Sequence, residues 1–237
     1  MHELISELQA AATPERAKAS AWFFKTGKGQ YGEGDIFIGI PTPVLRAICK
    51  KYSSLALNDL EVLLQDPIHE YRMAALMILV SQMKKAKGET RQRIYEFYLE
   101  NIRQINNWDL VDCSARDIVG NYLFDKDRSI LYEMVQSDHL WTQRVAIIAS
   151  LYFINKGQFE DTLRIAEMLL SHKHDLIHKA VVWMLREIWK KESVNANAPG
   201  EVEQFLEKNI RLIPRTALRY SIEKMTEERR KYFMQLK

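Results

Sequence analysis

The segment Asn106-Asn-Trp-Asp-Leu-Val-Asp-Cys-Ser-Ala-Arg-Asp-Ile-Val-Gly120 gathers the residue types best suited to chemistry. On a helix, Trp108 and Asp112 lie four residues apart on one face, so an indole plane and a carboxylate are presented together. The same spacing also allows a purely structural arrangement, Asp112 paired with Arg116 and Trp108 in the core. Asp109 reads as a helix-start carboxylate and Asp117 as a solvated one. Further on, Trp183 follows Lys179 by one helical turn, which puts a second indole on or beside a cation-bearing face. Tryptophan faces attract positive charge and CH-rich sugar surfaces, although a tryptophan in a helical protein serves equally as packing. Two tryptophans and one aspartate near cations thus make a candidate site for a cationic or sugar-like group. Trp22, Trp141 and Trp189 have no such companions and read as core or interface.

Other constellations are weaker. His172-Lys-His-Asp-Leu-Ile-His178 places His174 and His178 four apart, but no acidic or cysteine partner completes a metal site, and the histidines read as part of a turn between helices. Gly27, Gly29 and Gly32 match GxGxxG, yet no βαβ unit surrounds them and no GKS or GKT follows. The Gly27 to Gly39 stretch reads as a mobile loop leading into a helix at Pro41. No GxSxG, HExxH, Walker or EF-hand pattern occurs, which removes the common hydrolase, metalloprotease, NTPase and calcium-binding classes.

The elements that must position these side chains are helices. Leu60, Leu63 and Leu64, then Leu76, Leu79 and Val80, then Ile94, Phe97 and Tyr98, recur at helical spacing, and sustained period-two alternation is missing. Asp66-Pro67, Asn106-Asn107, Ser137-Asp138, Ser171-His172 and Pro214 punctuate the chain as caps or turns, and a shorter turn-rich stretch runs from Asn195 to Gly200. A cation opens the second helix of several pairs, at Arg72, Arg144, Lys179 and Arg215, separated by 72, 35 and 36 residues. One repeat is missing from the first interval, and the segment around Trp108 fills it. A two-helix repeat of roughly 36 residues predicts an all-α, HEAT-like α-solenoid over 1–237 as a single domain, with an atypical N-terminal cap at about 1–50. Equivalent positions stack, so the four cations are expected to line one curved surface, matched to the phosphates of a duplex. The alternative is that each cation caps or solvates its own helix.

Composition sets the outer bounds. At 47% hydrophobic residues the 237-residue chain can bury a core, and Cys49 and Cys113 alone cannot build a disulfide framework, so a reducing, cytoplasmic setting is expected. The first residues lack a basic region followed by an apolar one, and no apolar run approaches membrane-spanning length. A formal charge of +3 permits a nucleic-acid partner without requiring one.

Four motifs, Ile40-Pro-Thr-Pro-Val-Leu-Arg46, Trp108-Asp-Leu-Val-Asp112, Trp141-Thr-Gln-Arg144 and Trp183-Met-Leu-Arg-Glu187, resemble in order and separation the bacterial AlkD-type alkylpurine DNA glycosylases. The likeness extends over nearly the whole chain. It implies a basic concave face that holds duplex DNA, a catalytic set of Asp112, Trp108 and Trp183, and Arg144 as a backbone contact; with the repeat-spaced cations Arg72, Lys179 and Arg215, and Arg186 from the Trp183 motif, these make the expected DNA-binding residues. It also implies hydrolysis of the glycosidic bond of purines alkylated at N3 or N7 without base flipping. The partner would be alkylated duplex DNA, bound by a monomer in the bacterial cytoplasm with no metal and no other cofactor. Some relatives with this fold lack the catalytic set, so a non-catalytic solenoid binding structured DNA or a protein partner is the competing expectation.

Overall fold

A computed structural model describes residues 1–192 and 200–237. Residues 195–199 of the turn-rich stretch read from the sequence lie outside the described residues. The described chain is all-α, its one extended contact being an isolated bridge between Ile36 and Ile68. It divides into two compact units, Met1–Tyr122 and Leu123–Lys237.

The first unit holds α1 (His2–Ala10), α2 (Pro14–Phe23), α3 (Thr42–Lys51), α4 (Leu57–Leu64), α5 (His69–Met83), α6 (Gly88–Glu100) and α7 (Trp108–Ala115). A π-helical turn, Arg116–Gly120, continues α7, and the short α8 (Asn121–Leu123) follows. Helix α5 is its centre: twelve of its residues, from His69 to Met83, are buried, and α3, α4 and α7 pack on it. The second unit holds α9 (Ser129–Val135), α10 (Leu140–Ala149), α11 (Leu151–Ile154), α12 (Glu160–Leu169), α13 (Asp175–Glu192), α14 (Glu201–Asn209), α15 (Arg215–Ser221) and α16 (Glu227–Leu236). Here α13 is central, contacting α10, α11, α12, α14 and α15.

Within each unit the periodicity expected from the sequence is visible. The helix pairs α4/α5, α6/α7, α9/α10, α12/α13 and α14/α15 follow one another, and successive second helices stack, α5 on α7 and α10 on α13 on α15. This is the stacking of an α-solenoid. The punctuation does what its chemistry allows. Pro41 precedes α3, Pro214 precedes α15, Asp66 accepts a hydrogen bond from the Ile68 N–H, and Ser137 accepts one from the His139 N–H. His172 and His174 use Nδ1 to accept the N–H groups of His174 and Leu176, so these histidines build the turn before α13. Among the described residues no His, Cys, Asp or Glu cluster could hold a metal ion, and no helix is long and apolar enough to cross a membrane.

The Gly-rich segment differs from the mobile loop expected of it, because its second half is tied down. Asp35, Phe37 and Ile40 are buried, and the buried Glu70 carboxylate accepts the N–H groups of Ile38, Gly39 and Ile40. Helix α2 buries none of its own residues and is held through this segment instead: the Thr13 N–H donates to the Ile38 carbonyl and the Thr13 hydroxyl to the Gly39 carbonyl. Gly39 has φ +82°, and a Cβ there would sit 2.2 Å from the Thr13 carbonyl oxygen and 2.5 Å from the Ala17 nitrogen. Both obstacles are backbone, so only glycine lets α2 dock this closely.

Gly39→Ala is therefore expected to cost at least about 2 kcal/mol in urea unfolding, combining left-handed strain with the clash. Gly29→Ala, at φ +76° but facing open space, is expected to cost only about 1 kcal/mol. Equal losses would remove the α2 contact as the reason for glycine at Gly39.

Candidate functional site

The site is built outward from one buried carboxylate. Asp35 accepts hydrogen bonds from Arg72 Nη2 at 2.5 Å, from Asn107 Nδ2 at 2.8 Å and from His69 Nδ1 at 3.2 Å. The other His69 nitrogen, Nε2, donates to Asp109 at 2.9 Å. A buried charge survives only when paired and hydrogen-bonded, and here three donors from α5 and the start of α7 converge on it. Asn107 then spends its remaining oxygen on the Trp108 N–H, 2.8 Å away, capping α7. The first turn of α7 is consequently clamped twice, through Asn107 to Asp35 and through Asp109 to His69.

A second clamp is aromatic. The Trp108 ring stacks on Phe24 with centroids 5.2 Å apart and planes at 17°, Phe24 stacks on Phe37 at 4.9 Å, and Phe37 stacks on His69 at 4.5 Å. Phe23 meets the Trp108 ring edge-on at 6.0 Å. The ladder ends on the same histidine that the carboxylates hold, so polar and apolar restraints fix one indole. Trp108 is half-buried, with part of its surface open, and Asp112 follows one turn later, also half-buried. Arg116 does not take up the role offered by its spacing. Its Nε and Nη2 make a two-point contact with Asp117, which also meets Lys84 and is mostly covered rather than solvated.

Protonation follows from these contacts. Burial works against a charge on His69, but the hydrogen bonds to Asp109 and Asp35 outweigh it and raise the imidazole pKa to about 9. Burial likewise pushes Asp35 upward, and the His69 hydrogen bond with the Arg72 charge and the Asn107 and Arg72 hydrogen bonds more than reverses it, leaving the carboxyl below its ordinary value. Cys113, beside Asp112, is the opposite case. Desolvation first, then the carboxylates of Asp109 and Asp112, push the thiol of this half-buried residue well above its ordinary value.

The second unit carries the other expected residues. Trp183 is half-buried on α13, its Nε1 donating to Glu187 at 3.2 Å. Lys179 is exposed and paired with Asp175 at 2.6 Å, Arg186 is partly exposed and paired with Glu223 at 3.1 Å, and Arg215 is exposed at the first turn of α15. The expected exposed row of four cations needs correcting at two places. Arg72 is 5% exposed because Asp35 draws it into the first unit's core, and Arg144 is 4% exposed with Nη1 donating to the Leu176 carbonyl at 2.5 Å. Of the remaining tryptophans, Trp141 is buried as expected, Trp189 is half-buried, and Trp22 is 83% exposed at the end of α2.

Sequence reasoning missed Asp35, His69 and Glu70. The available signal was weak: a lone aspartate inside a Gly-rich run, and a His-Glu pair one residue after Asp66-Pro67.

Residues 4–225 match the DNA alkylation repair enzyme family, and the chain belongs to it. Among solved structures, it is similar to a protein described as a predicted DNA alkylation repair enzyme from Enterococcus faecalis. The two share 18% identity, the similarity covers 91% of this chain and 97% of that one, and the TM-score is 0.67, a likeness of fold. No curated protein sequence matches the chain.

The raised His69 value gives a pH prediction. In the unfolded chain this group titrates near 6.5 and in the folded one near 9, so its stabilisation is complete below pH 6.5 and is lost as pH rises through about 9. Unfolding free energy should fall by about 1.4 kcal/mol per pH unit across that window. Asp109→Asn, by removing the strongest support of the imidazolium, should flatten the fall. A wild-type curve already flat between pH 6.5 and 9 would contradict the charged His69.

Proposed function

We propose that the protein is an N-glycosyl hydrolase of base-excision repair that releases purines carrying a positive charge from alkylation at N3 or N7 in duplex DNA. Family membership supplies the damage class. The observation that carries the finer reading is α7, whose first turn is held by a buried charge network and an aromatic stack, so that Trp108 and Asp112 are offered one turn apart with little freedom to move.

The chemistry suits a sparse site. A purine alkylated at N3 or N7 is already cationic, so breaking the C1′–N bond releases a neutral base and no general acid is required. That reduces the usual two carboxyl groups of glycoside hydrolysis to one. Positive charge moves onto the deoxyribose as the bond lengthens. Asp112 stabilises that charge, orients the water whose oxygen bonds to C1′ and accepts the proton the water gives up. Trp108 contributes its indole face to the sugar, an attraction that strengthens as the sugar becomes cationic, and the sequence resemblance gives Trp183 the same role. Because the lesion's own lability drives departure, no fitted base pocket or base flipping is needed. Lys179, Arg186 and Arg215 are the accessible cations for backbone phosphates, with Arg144 acting through the segment before α13. The protein acts as a monomer on bacterial cytoplasmic DNA without a cofactor.

Two measurements test this reading. Asp112→Asn is expected to slow release of methylated purines from duplex DNA by about 10²- to 10³-fold while leaving DNA affinity in place. Equal release by both proteins would take Asp112 out of the mechanism, and DNA binding with no release by either would favour the non-catalytic alternative. Arg215→Ala is expected to weaken binding to all duplex sequences alike and to reduce the slope of log affinity against log salt by about 1. An unchanged slope would exclude that phosphate contact.

A further inference from the structure

The first unit carries Trp108 and Asp112, yet the accessible cations expected to meet phosphates, Lys179, Arg186 and Arg215, all lie in the second. Arg72, the cation expected of the first unit, is drawn inward by Asp35. Helix α2 holds the surface that this leaves wanting. It buries none of its own residues, and its last two, Trp22 and Phe23, are 83% and 56% exposed. Single apolar side chains on a surface are ordinary, but two adjacent large aromatics beside a candidate site mark an interaction surface. Phe23 joins that patch to the site, meeting the Trp108 ring edge-on at 6.0 Å and the Phe24 ring at 5.1 Å. The chain then turns sharply. Lys25 takes a left-handed φ of +54°, its carbonyl accepts the Gly32 N–H at 3.2 Å, and a Cβ at Gly32 would fall 2.3 Å from the Phe24 carbonyl oxygen. A lysine adopts that backbone only against strain that the surrounding structure enforces, so α2 ends in a built turn rather than a frayed one.

The patch is set among cations. Between Pro14 and Lys28 the chain carries Arg16, Lys18, Lys25 and Lys28 against Glu15 alone, a local excess equal to the formal +3 of the whole chain. All four cations are exposed, and no described carboxylate pairs with them. Lys18 precedes Trp22 by one helical turn and Arg16 precedes Phe23 by two, so each aromatic shares its helix face with a cation. Unpaired positive charge interleaved with uncovered aromatic faces complements a nucleic-acid strand, whose phosphates alternate with CH-rich sugars. We propose that the end of α2 is a further DNA contact, with Trp22 against the deoxyribose of a nucleotide flanking the lesion and Lys18 and Lys25 at the phosphates on either side. Nothing is flipped, because sugar and phosphate are met from outside the base stack. The contact rests on the proposed DNA reading, in which Trp108 and Asp112 meet the lesion's own sugar, but it requires no bond cleavage.

Equilibrium binding of the full-length protein to an undamaged duplex, followed across salt concentrations, tests it. Trp22→Ala is expected to weaken binding about tenfold, the scale of losing about 60 Å² of covered indole, while leaving the slope of log affinity against log salt unchanged. Lys18→Gln combined with Lys25→Asn, asparagine being tolerant of left-handed backbone, is expected to reduce that slope by about 2. Neither variant should lower the melting temperature, because all three side chains are exposed. Full affinity in Trp22→Ala, or an unchanged slope in the double variant, would overturn the proposal. So would a concentration-dependent dimer of the wild type that Trp22→Ala dissolves with DNA affinity intact, an outcome that assigns the patch to a second copy of the chain. Binding is read apart from the reaction. Weakened DNA binding by Trp22→Ala, in a protein that releases no methylated purine, would refute the proposed hydrolysis and leave this contact standing. Asp112-dependent release by a protein whose Trp22→Ala variant binds normally would sink this contact alone.

Discussion

The buried carboxylate of Asp35 is the constraint on which the first unit depends. A carboxylate taken out of water must be met by donors, and the three that meet it come from two separate stretches of chain, His69 and Arg72 from α5 and Asn107 from the cap of α7. The cost of leaving any one of them unmatched is what makes the arrangement specific. The Gly-rich segment cannot drift, because Asp35 lies within it, and α7 cannot start one residue earlier or later without losing either its cap or the Asp109 to His69 contact. Glu70, the neighbour of His69, extends the same logic to the backbone of Ile38, Gly39 and Ile40 and through them to α2.

For the proposed reaction, this arrangement resolves a tension. A lone carboxylate that stabilises a developing cation must be close to water and substrate, yet held still enough that its field is already in place. The structure separates the two demands. The charge network and the aromatic ladder act on the start of α7, and the half-buried Trp108 and Asp112 ride on the helix they fix.

What the sequence revealed followed what is local. Helix periodicity, the pairing of helices and the caps at Asn107 and Pro214 depend on neighbours within a few residues, and these were legible, as was the juxtaposition of Trp108 and Asp112 four residues apart. What it hid is nonlocal. Arg72 looks like any cation near a helix start until Asp35, 37 residues upstream, is brought against it, and Arg144 looks equally exposed until the Leu176 carbonyl, 32 residues downstream, accepts from it. Charged residues are exposed by default, so a buried one is invisible until its partner is known. Asp35, at the end of a glycine-rich run that invites a reading as loose chain, was the least legible residue and the most constraining one.

In the proposed reaction, the buried network acts by holding α7 in place. That role is tested most directly by the single-turnover rate of methylated-purine release at saturating protein for Asp35→Asn, in a variant whose helical circular dichroism and DNA affinity match the wild type. A rate lower by about 10²-fold is expected, the scale that follows when a catalytic group is displaced by about 1 Å. An unchanged rate in a folded, DNA-binding Asp35→Asn protein would contradict it.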